Sequence, residues 1–272
     1  KWEQDPDVLD TWFSSALWTF STLGWPKETK DLKNFHPTSF MSPAYEILYL
    51  WVSRMILMSG FHLGQVPFKT VLIHGLVRDA KGRKFSKSLD NGVDPLEVIG
   101  KYGADALRMG LLVGTAIGND SKFDESKVKG YKHFANKLWN IARFVLMNTP
   151  NEPMTKPELI DEDMATLEEL NALTKDITDD MEAYRLYLAA EKVYHYIWHT
   201  FADKIIETAK PRLTDEDEKS KQSAQWTLLS ILTDSLKLLH PFMPFVTEEI
   251  YSKLPLKDKK LLMIETWPRS SS

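Results

Sequence analysis

The chain has 272 residues, 43% of them apolar, which is enough to fill the cores of two domains and excludes a disordered or fibrous protein. Its 34 Lys and Arg against 38 Asp and Glu give a net charge of -4, so binding of a polyanion by overall charge is excluded and only local basic patches remain for it. The absence of cysteine excludes disulfides and thiolate zinc sites. No apolar run reaches the roughly 18 residues that a membrane helix needs.

The first 120 residues carry short apolar runs and turn signals, which predict alternating helices and strands. Residues 47–58 are apolar at almost every position and predict a helix that is buried against a sheet. Val71-Leu72-Ile73 predicts a parallel strand that ends at His74-Gly75, where the ligand-facing edge of such a sheet is expected. Asp94-Pro95 predicts the start of a helix that ends near Gly103.

Long helical periodicities dominate the rest of the chain and predict a helix bundle. Apolar residues recur every three or four positions in three stretches, and a short fourth helix follows them: 128–145, 186–205, 229–239 and 247–254. Residues 152–182 hold eleven acidic residues against two lysines, which favours a solvated helix face and its linker. The change of pattern predicts two domains, an α/β domain at 1–120 and an all-α domain at 121–272.

The densest cluster of charged side chains lies between Arg78 and Ser88, with five basic residues and one acidic residue in eleven positions. Lys84 and Lys87 are three residues apart and alternate with the hydroxyls of Ser86 and Ser88. Ammonium and hydroxyl groups at this spacing can converge on the oxygens of a phosphate chain, which suits phosphoryl or nucleotidyl chemistry. The alternative from composition alone is an exposed basic turn.

The string Lys84-Phe85-Ser86-Lys87-Ser88 resembles the KMSKS signature of the class I aminoacyl-tRNA synthetases. Further segments are similar to the valyl-tRNA synthetase family in particular, and together they extend over nearly the whole chain: 5–18, 47–55, 72–79, 102–108, 134–140 and 240–249. The resemblance implies the second half of a Rossmann-type catalytic domain at 1–120, followed by an α-helical anticodon-binding domain at 121–272. It also implies a cytoplasmic protein without a membrane anchor.

The reaction that the resemblance implies has two steps. Valine and ATP, which enters with Mg²⁺, form valyl-adenylate, and the valyl group then passes to tRNA(Val). Lys87 would be the main phosphate contact, assisted by Lys84 and Ser86. His74 and Gly75 would lie beside the adenine, and Ala44 and Glu46 occupy positions that touch the ATP ribose in the family. No metal site formed by protein side chains is expected.

The chain departs from the family pattern in single residues and in whole segments. Ala44 and Glu46 stand where relatives have Gly-x-Asp, Phe85 replaces Met, and Asp90 replaces the usual Gly. The HIGH signature, the editing domain and the C-terminal coiled-coil arm are missing; His62-Leu63-Gly64-Gln65 resembles HIGH only by chance.

These departures bear on what the chain does by itself. The first residues contain no initiator Met and no apolar signal region, so we expect a piece of a longer protein. The expected partner is the missing N-terminal half of the same enzyme, and without it we expect the chain to be inactive. Two alternatives remain, a non-catalytic tRNA-binding module and a scaffold fragment that binds nothing.

A local basic stretch provides the expected contact with tRNA. Six basic residues lie between Lys122 and Arg143, against Asp124 and Glu125. The helical periodicity predicts four of them to be free to approach phosphates: Lys129, Lys132, Lys137 and Arg143. The alternative is an ordinary solvated helix face.

Other patterns favour structural roles. His195 and His199 are four residues apart on one helix face, but no third ligand is evident, so core or surface histidines are expected. The helical stripes predict packing for Trp51, Trp139 and Trp198, and exposure for Trp226. The last four residues, from Arg269 to Ser272, are expected to form a disordered tail.

Overall fold

Short helices around a two-stranded parallel sheet make up the N-terminal part of the chain. The computed structural model describes residues 2–268, apart from the side chain of Lys87, so the expected tail at 269–272 lies outside the described residues. The elements in this part are α1 (Thr11–Ala16), α2 (Trp18–Ser21), α3 (Lys30–Phe35), β1 (Thr38–Met41), a 3₁₀ turn (Tyr45–Ile47), a π-helical turn (Leu48–Val52), α4 (Ser53–Leu63), β2 (Phe68–Val71) and β3 (Val77–Arg78).

The apolar segment at 47–58 is helical and packs one side against the sheet, as predicted, while its other side is exposed. Val52 and Met55 are buried beneath the sheet residue Phe68. On the other side of the helix, Leu57 and Phe61 are 69% and 83% exposed. A helix that is apolar all round needs a cover on both sides, and within the described residues only one side of α4 has it.

The predicted strand at 71–73 is found three residues earlier, as β2. It pairs in parallel with β1, and the register places Thr38 opposite Phe68 and Met41 opposite Val71. Pro43 follows β1 and has no N–H to donate to the neighbouring chain. Regular pairing is therefore interrupted within residues 71–73, where the strand was predicted. One further parallel bridge then joins Ala44 to His74.

Helices make up nearly all of the remaining chain. The elements are a 3₁₀ turn (Lys87–Leu89), α5 (Pro95–Tyr102), α6 (Ala104–Leu112), β4 (Ser121–Lys122), α7 (Glu125–Asn148), α8 (Asp161–Glu182), α9 (Leu186–His195), a π-helical segment (Tyr196–Ile205), α10 (Ile206–Ala209), a 3₁₀ turn (Arg212–Thr214), α11 (Glu218–Leu239), α12 (Pro244–Lys253) and a last 3₁₀ turn (Leu262–Ile264). The predicted start of α5 is confirmed, because the Asp94 side chain accepts the Leu96 N–H at 2.8 Å. None of the helices described is long and apolar enough to span a membrane.

The predicted bundle is confirmed, and α8 adds a helix in the acidic stretch. One large core joins buried side chains of α7, α8, the α9 to α10 segment, α11 and α12. The prediction of a solvated acidic face was wrong for two positions of α8. Asp163 is buried in a bidentate pair with Arg212, and Asp180 is buried between Arg185 and Lys192. Carboxylates this deep in a core are tolerated because they are paired.

The chain divides into two compact units, and the division does not follow the sequence boundary. The first unit comprises residues up to 78 together with 117–121, and the second comprises 79–116 together with the residues from 122 onward. Residues 79–116 belong with the bundle because α6 is bonded to α12 and to the turn before it. Asp105 accepts the N–H groups of Phe245 and Val246, and Arg108 donates to the carbonyl of Phe242 at 3.0 Å. The division into family domains at residue 120 stays a prediction.

Candidate functional site

The end of the parallel sheet brings together residues predicted to contact ATP. Ala44 bridges to His74 just past the carboxyl ends of β1 and β2, and the Tyr45 N–H donates to the His74 carbonyl at 3.3 Å. Ligands of open α/β sheets bind outside this edge. The His74 ring is exposed, and Nδ1 donates to the Gly75 carbonyl at 2.7 Å, so a neutral ring presents Nε2 as an acceptor.

Gly75 is the residue at this edge that tolerates no side chain. A Cβ there would lie 2.0 Å from the backbone oxygen of Asn119, and the obstacle is main chain that cannot rotate away. Glu46 is exposed on the adjoining 3₁₀ turn, one residue beyond Tyr45. The predicted group of Ala44, Glu46, His74 and Gly75 is therefore assembled in the first unit, and its contact with ATP stays a prediction.

Sequence reasoning missed the aspartate that fastens this edge. Asp120 accepts the Leu76 N–H at 2.7 Å and is paired with the Arg78 guanidinium, while the Tyr45 hydroxyl lies 3.4 Å away. The Leu76 N–H and Arg78 together lower the pKa of Asp120. A single Asp after Gly118-Asn119 carries no periodic signal, and its partners lie more than forty residues earlier in the chain.

The basic loop is part of the second unit and is well bonded within itself. Lys84 is exposed, Ser86 is partly buried, and the Ser86 and Ser88 hydroxyls lie 2.7 Å apart. The backbone of Lys87 begins a 3₁₀ turn, while its side chain lies outside the described part of the chain. The roles predicted for Lys84, Ser86 and Lys87 stay predictions.

Two polar residues that the sequence analysis did not single out hold the loop closed. Asp79 and Asn91 are bonded to one another at 3.0 Å, and each also bonds to the main chain between them. The Asn91 amide, together with N–H groups of Arg83, holds the pKa of Asp79 far below its usual range. The segment is therefore a folded turn rather than a flexible basic stretch.

On α7, the four lysine and arginine side chains predicted to be free fall into two pairs. Lys132 donates to the Lys101 carbonyl at 2.8 Å, and Lys137 donates to Asp203 at 2.7 Å, so the prediction that they are free was wrong. Lys129 and Arg143 are exposed and have no bonded partner in the part of the chain that the structure describes. Tertiary contacts distinguish the pairs, and they also leave the Lys137 side chain only partly exposed, above the Trp198 ring.

A groove runs beside Arg143, between α7 and α12. It has a volume of about 480 Å³ and is lined by apolar, aromatic and basic side chains, among them Trp139, Arg143, Met147, Ile250 and Lys253. Trp139 is 40% exposed there, which corrects the prediction that it packs in the core. An exposed indole next to two cations is a suitable surface for an unstacked nucleobase and its phosphates.

The remaining candidates have structural surroundings. The His195 and His199 rings stack at 5.5 Å, each near a carboxylate of its own helix turn. No group of three or more His, Asp or Glu that could hold a metal ion occurs among residues 2–268. Trp51 and Trp198 pack as predicted, whereas Trp226 is partly buried rather than exposed. His62 packs against Trp25 with ring centroids 4.8 Å apart.

Comparison with protein families matches both parts of the chain. Residues 1–124 match the model "tRNA synthetases class I (I, L, M and V)". Residues 163–272 match the model "Anticodon-binding domain of tRNA ligase". The two matches occur in chain order, and they confirm the predicted sequence of a class I catalytic segment followed by a helical domain.

Curated relatives match nearly the whole chain. The valine–tRNA ligase of Clostridium tetani is 52% identical over 270 residues, which are 97% of this chain and 30% of the relative. The valine–tRNA ligase of Thermotoga maritima is 47% identical over 269 residues, which are 98% of this chain and 30% of the relative. The chain thus spans about 30% of the length of the curated relatives it matches.

Solved structures show the same fold at low sequence identity. The LeuRS of Agrobacterium radiobacter K84, in a ternary complex with tRNA and LeuAMS, aligns with a TM-score of 0.79 at 20% identity, over 98% of this chain and 33% of its own. The methionyl-tRNA synthetase of Mycobacterium tuberculosis with methionyl-adenylate gives a TM-score of 0.76 at 22% identity, over 88% of this chain and 48% of its own. These structures share the fold of this chain. The family matches show that its first 124 residues are similar to class I tRNA synthetases, and its similarity to the valine–tRNA ligases covers nearly its whole length.

Proposed function

We propose that the chain is a working part of a valine–tRNA ligase, which activates valine with ATP and transfers it to tRNA(Val). The observation that carries the proposal is the folded basic loop at 79–91, which contains Lys84, Ser86 and Lys87. Valine–tRNA ligases about 50% identical to this chain support it. Aminoacyl-adenylate formation builds negative charge on the ATP phosphates, and fixed cations there stabilise the transition state.

Each group of residues has a distinct task in this proposal. Lys87 neutralises the phosphate chain, while Lys84 and the Ser86 hydroxyl orient it. The edge formed by Ala44, Glu46, His74 and Gly75 receives the nucleoside, because it lies past the carboxyl ends of the parallel strands and His74 presents an acceptor. Mg²⁺ enters as part of the ATP substrate, bound by phosphate oxygens; the described residues offer no cluster of three ligands for it.

The exposed side of α4 supports a partnership with the rest of such an enzyme. Tyr49, in the π-helical turn before α4, is 80% exposed, and Leu57 and Phe61 of α4 are 69% and 83% exposed. Covering them removes apolar surface from water, which contributes about 25 cal/mol per Å². We propose that the N-terminal part of the catalytic region covers this face. The 272 residues alone are then inactive, because several transition-state donors are missing together.

A complementation experiment tests the catalytic proposal. Valine-dependent ATP–pyrophosphate exchange is measured for the chain alone and after addition of the N-terminal part of the Clostridium tetani relative. We expect exchange only in the mixture. Lys87→Ala should lower kcat by about 10²-fold with the valine KM nearly unchanged, whereas the control Lys81→Ala in the same loop should stay within about threefold of the parent. Exchange by the chain alone, or a Lys87→Ala effect on the valine KM only, contradicts the proposal.

We propose the outward face of α7, together with the groove beside α12, as the contact with tRNA. Lys129 and Arg143 provide cations there, and Trp139 provides a stacking surface. The solved LeuRS with a similar fold is in complex with tRNA. This surface also supports the alternative of a non-catalytic tRNA-binding module, which the exchange assay distinguishes from the enzyme.

Titration with tRNA at several salt concentrations tests this surface. Each phosphate contact contributes about 0.9 or less to the log-log salt slope, so Lys129→Glu with Arg143→Glu should weaken binding and flatten the slope. The control Lys156→Glu with Lys175→Glu changes the net charge equally, on the exposed acidic stretch, and should weaken binding less. Equal effects of the two double variants would move the tRNA contact elsewhere, and no binding at all would favour the scaffold alternative.

A further inference from the structure

The loop at 79–91 is closed by the side-chain amide of Asn91, which bonds to three parts of it. Oδ1 accepts the Ser86 N–H at 3.0 Å. Nδ2 donates to Asp79 Oδ2 at 3.0 Å and to the Lys84 carbonyl at 3.2 Å. The amide uses its acceptor and both donor directions on the main chain around Phe85 and on one carboxylate.

Asp79 organises the other half of the loop. Its Oδ1 accepts the N–H groups of Lys81 and Arg83 at 3.0 and 2.8 Å, and its Oδ2 accepts Arg83 Nε at 2.8 Å. The Asp79 side chain is 12% exposed, so these bonds are little diluted by water. The loop carries four cations in thirteen positions, which repel one another, and the Asp79 carboxylate draws its main chain into a turn.

The backbone directs Asn91 back toward the loop. Asp90 adopts φ +45°, in the left-handed region. The 3₁₀ turn at Lys87–Leu89 leads into this residue, and the reversal brings Asn91 beside Ser86, five residues earlier in the chain. The turn and the amide together fix the main chain on either side of Phe85.

We propose that Asn91 is a positioning residue for the phosphate-binding loop: its amide ties the Lys84 and Ser86 main chain to Asp79, so that the loop lysines meet a polyphosphate in a single geometry. The inference rests on the proposed function for its ligand, and on the hydrogen bonds of the loop for its mechanism. Preorganised donors stabilise a transition state without reorganising during the reaction. A loop that populates the competent geometry only in part loses affinity in proportion.

Aspartate cannot replace asparagine here, which gives the proposal a specific signature. Asn91→Asp keeps the acceptor for the Ser86 N–H but loses both donated bonds, and it places a second carboxylate 3.0 Å from Asp79. Two carboxylates at this distance share a proton, so one pKa of the pair rises. The variant should therefore be disordered at neutral pH and regain order when acidified.

Hydrogen exchange of the loop amides in the 272-residue chain tests the positioning directly. Asn91→Ala should speed exchange of the Ser86 amide at least about tenfold, relative to its intrinsic rate, and the control Asn34→Ala should leave it unchanged. Asn91→Asp should behave like Asn91→Ala at pH 7 and recover protection near pH 4.5. The exchanged pair Asp79→Asn with Asn91→Asp restores a donor opposite an acceptor between the two positions but not the bond to the Lys84 carbonyl, so it should regain part of the protection at pH 7. Unchanged Ser86 exchange in Asn91→Ala overturns the proposal.

The complemented exchange assay separates this inference from the proposed function. Asn91→Ala should lower kcat about tenfold and leave the valine KM within about twofold. Full activity of Asn91→Ala while Lys87→Ala is inactive overturns the positioning role and leaves the function standing. Activity indifferent to Lys87→Ala overturns the function, and the amide exchange then decides alone whether Asn91 orders the loop.

Discussion

The two compact units differ in the side chains whose placement costs most free energy: buried carboxylates in one, and the exposed apolar side of α4 in the other. The second unit, called the helical unit from here on, buries charged side chains and pairs them internally, as in the bidentate pair of Asp163 with Arg212. The first unit, called the strand-bearing unit from here on, leaves large apolar side chains of α4 such as Leu57 and Phe61 in solvent. Buried charges persist only where the same unit provides their partners, whereas exposed apolar surface is stabilised by any cover it acquires. The second unit thus satisfies its deepest charges internally, whereas the exposed apolar side of α4 would gain stability from any cover.

Breaking the buried pair should give the largest loss of stability. Arg212→Ala leaves Asp163 buried without a counter-charge and also removes the bonds to Ser220, so we expect the free energy of unfolding to fall by about 3–5 kcal/mol. Urea unfolding followed by far-UV circular dichroism measures it. The control Lys175→Ala removes an exposed pair with Asp179 and should cost no more than about 0.5 kcal/mol.

A double variant shows whether the charge itself is responsible. Arg212→Met with Asp163→Asn leaves no unpaired charge in the core and should be more stable than Arg212→Ala. If Arg212→Ala costs no more than Lys175→Ala, the helical unit does not depend on its buried pair, and the contrast between the units fails.

Gly75 is a position of the strand-bearing unit where the fold leaves no room for a side chain. Gly75→Ala drives a methyl group into the Asn119 main chain and should cost at least about 1–3 kcal/mol, with faster hydrogen exchange of the Leu76 and Ser121 amides that bond around it. Gly60→Ala is the matched control, because it lies on exposed α4 with open space around it and should add about 0.5–1 kcal/mol. A harmless Gly75→Ala would mean that this edge is as loosely held as α4.

Signals confined to one element could be predicted from the sequence. Asp94-Pro95 could be recognised as the start of α5 because the capping bond joins residues only two positions apart. The buried side of α7 could be predicted because apolar residues recur with the period of a helix. The resemblance of 84–88 located the loop, yet nothing local identified Asn91 as the residue that closes it.

What depends on distant partners could not be predicted. The role of Asp120 depends on Leu76 and Arg78, and the engagement of Lys137 depends on Asp203, 66 residues later. The exposure of α4 depends on what covers it, which no periodicity encodes. The sequence therefore indicated candidate site residues, whose roles stay predictions, and it did not indicate the groups that hold those residues in place.

The smallest expected effect concerns the cap between α6 and α12. Asp105 accepts two N–H groups at the start of α12, so Asp105→Ala should cost about 1 kcal/mol at neutral pH. Burial raises the pKa of Asp105, and the bonds from Val246 and Phe245 oppose that rise only in part.

The raised pKa fixes the sign of the pH dependence at this cap. The folded chain holds the Asp105 proton more tightly than the unfolded chain does, so the stability from this group is complete below the unfolded pKa of about 4 and is lost as pH rises through the folded pKa. Asp105→Asn does not titrate, and the advantage of the parent over this variant should therefore shrink between pH 4 and pH 7 in urea unfolding. Asp179→Asn on the exposed face of α8 serves as the control. An advantage that grows with pH would show that the two N–H bonds outweigh burial, so that the helical unit satisfies this carboxylate as fully as it does Asp163.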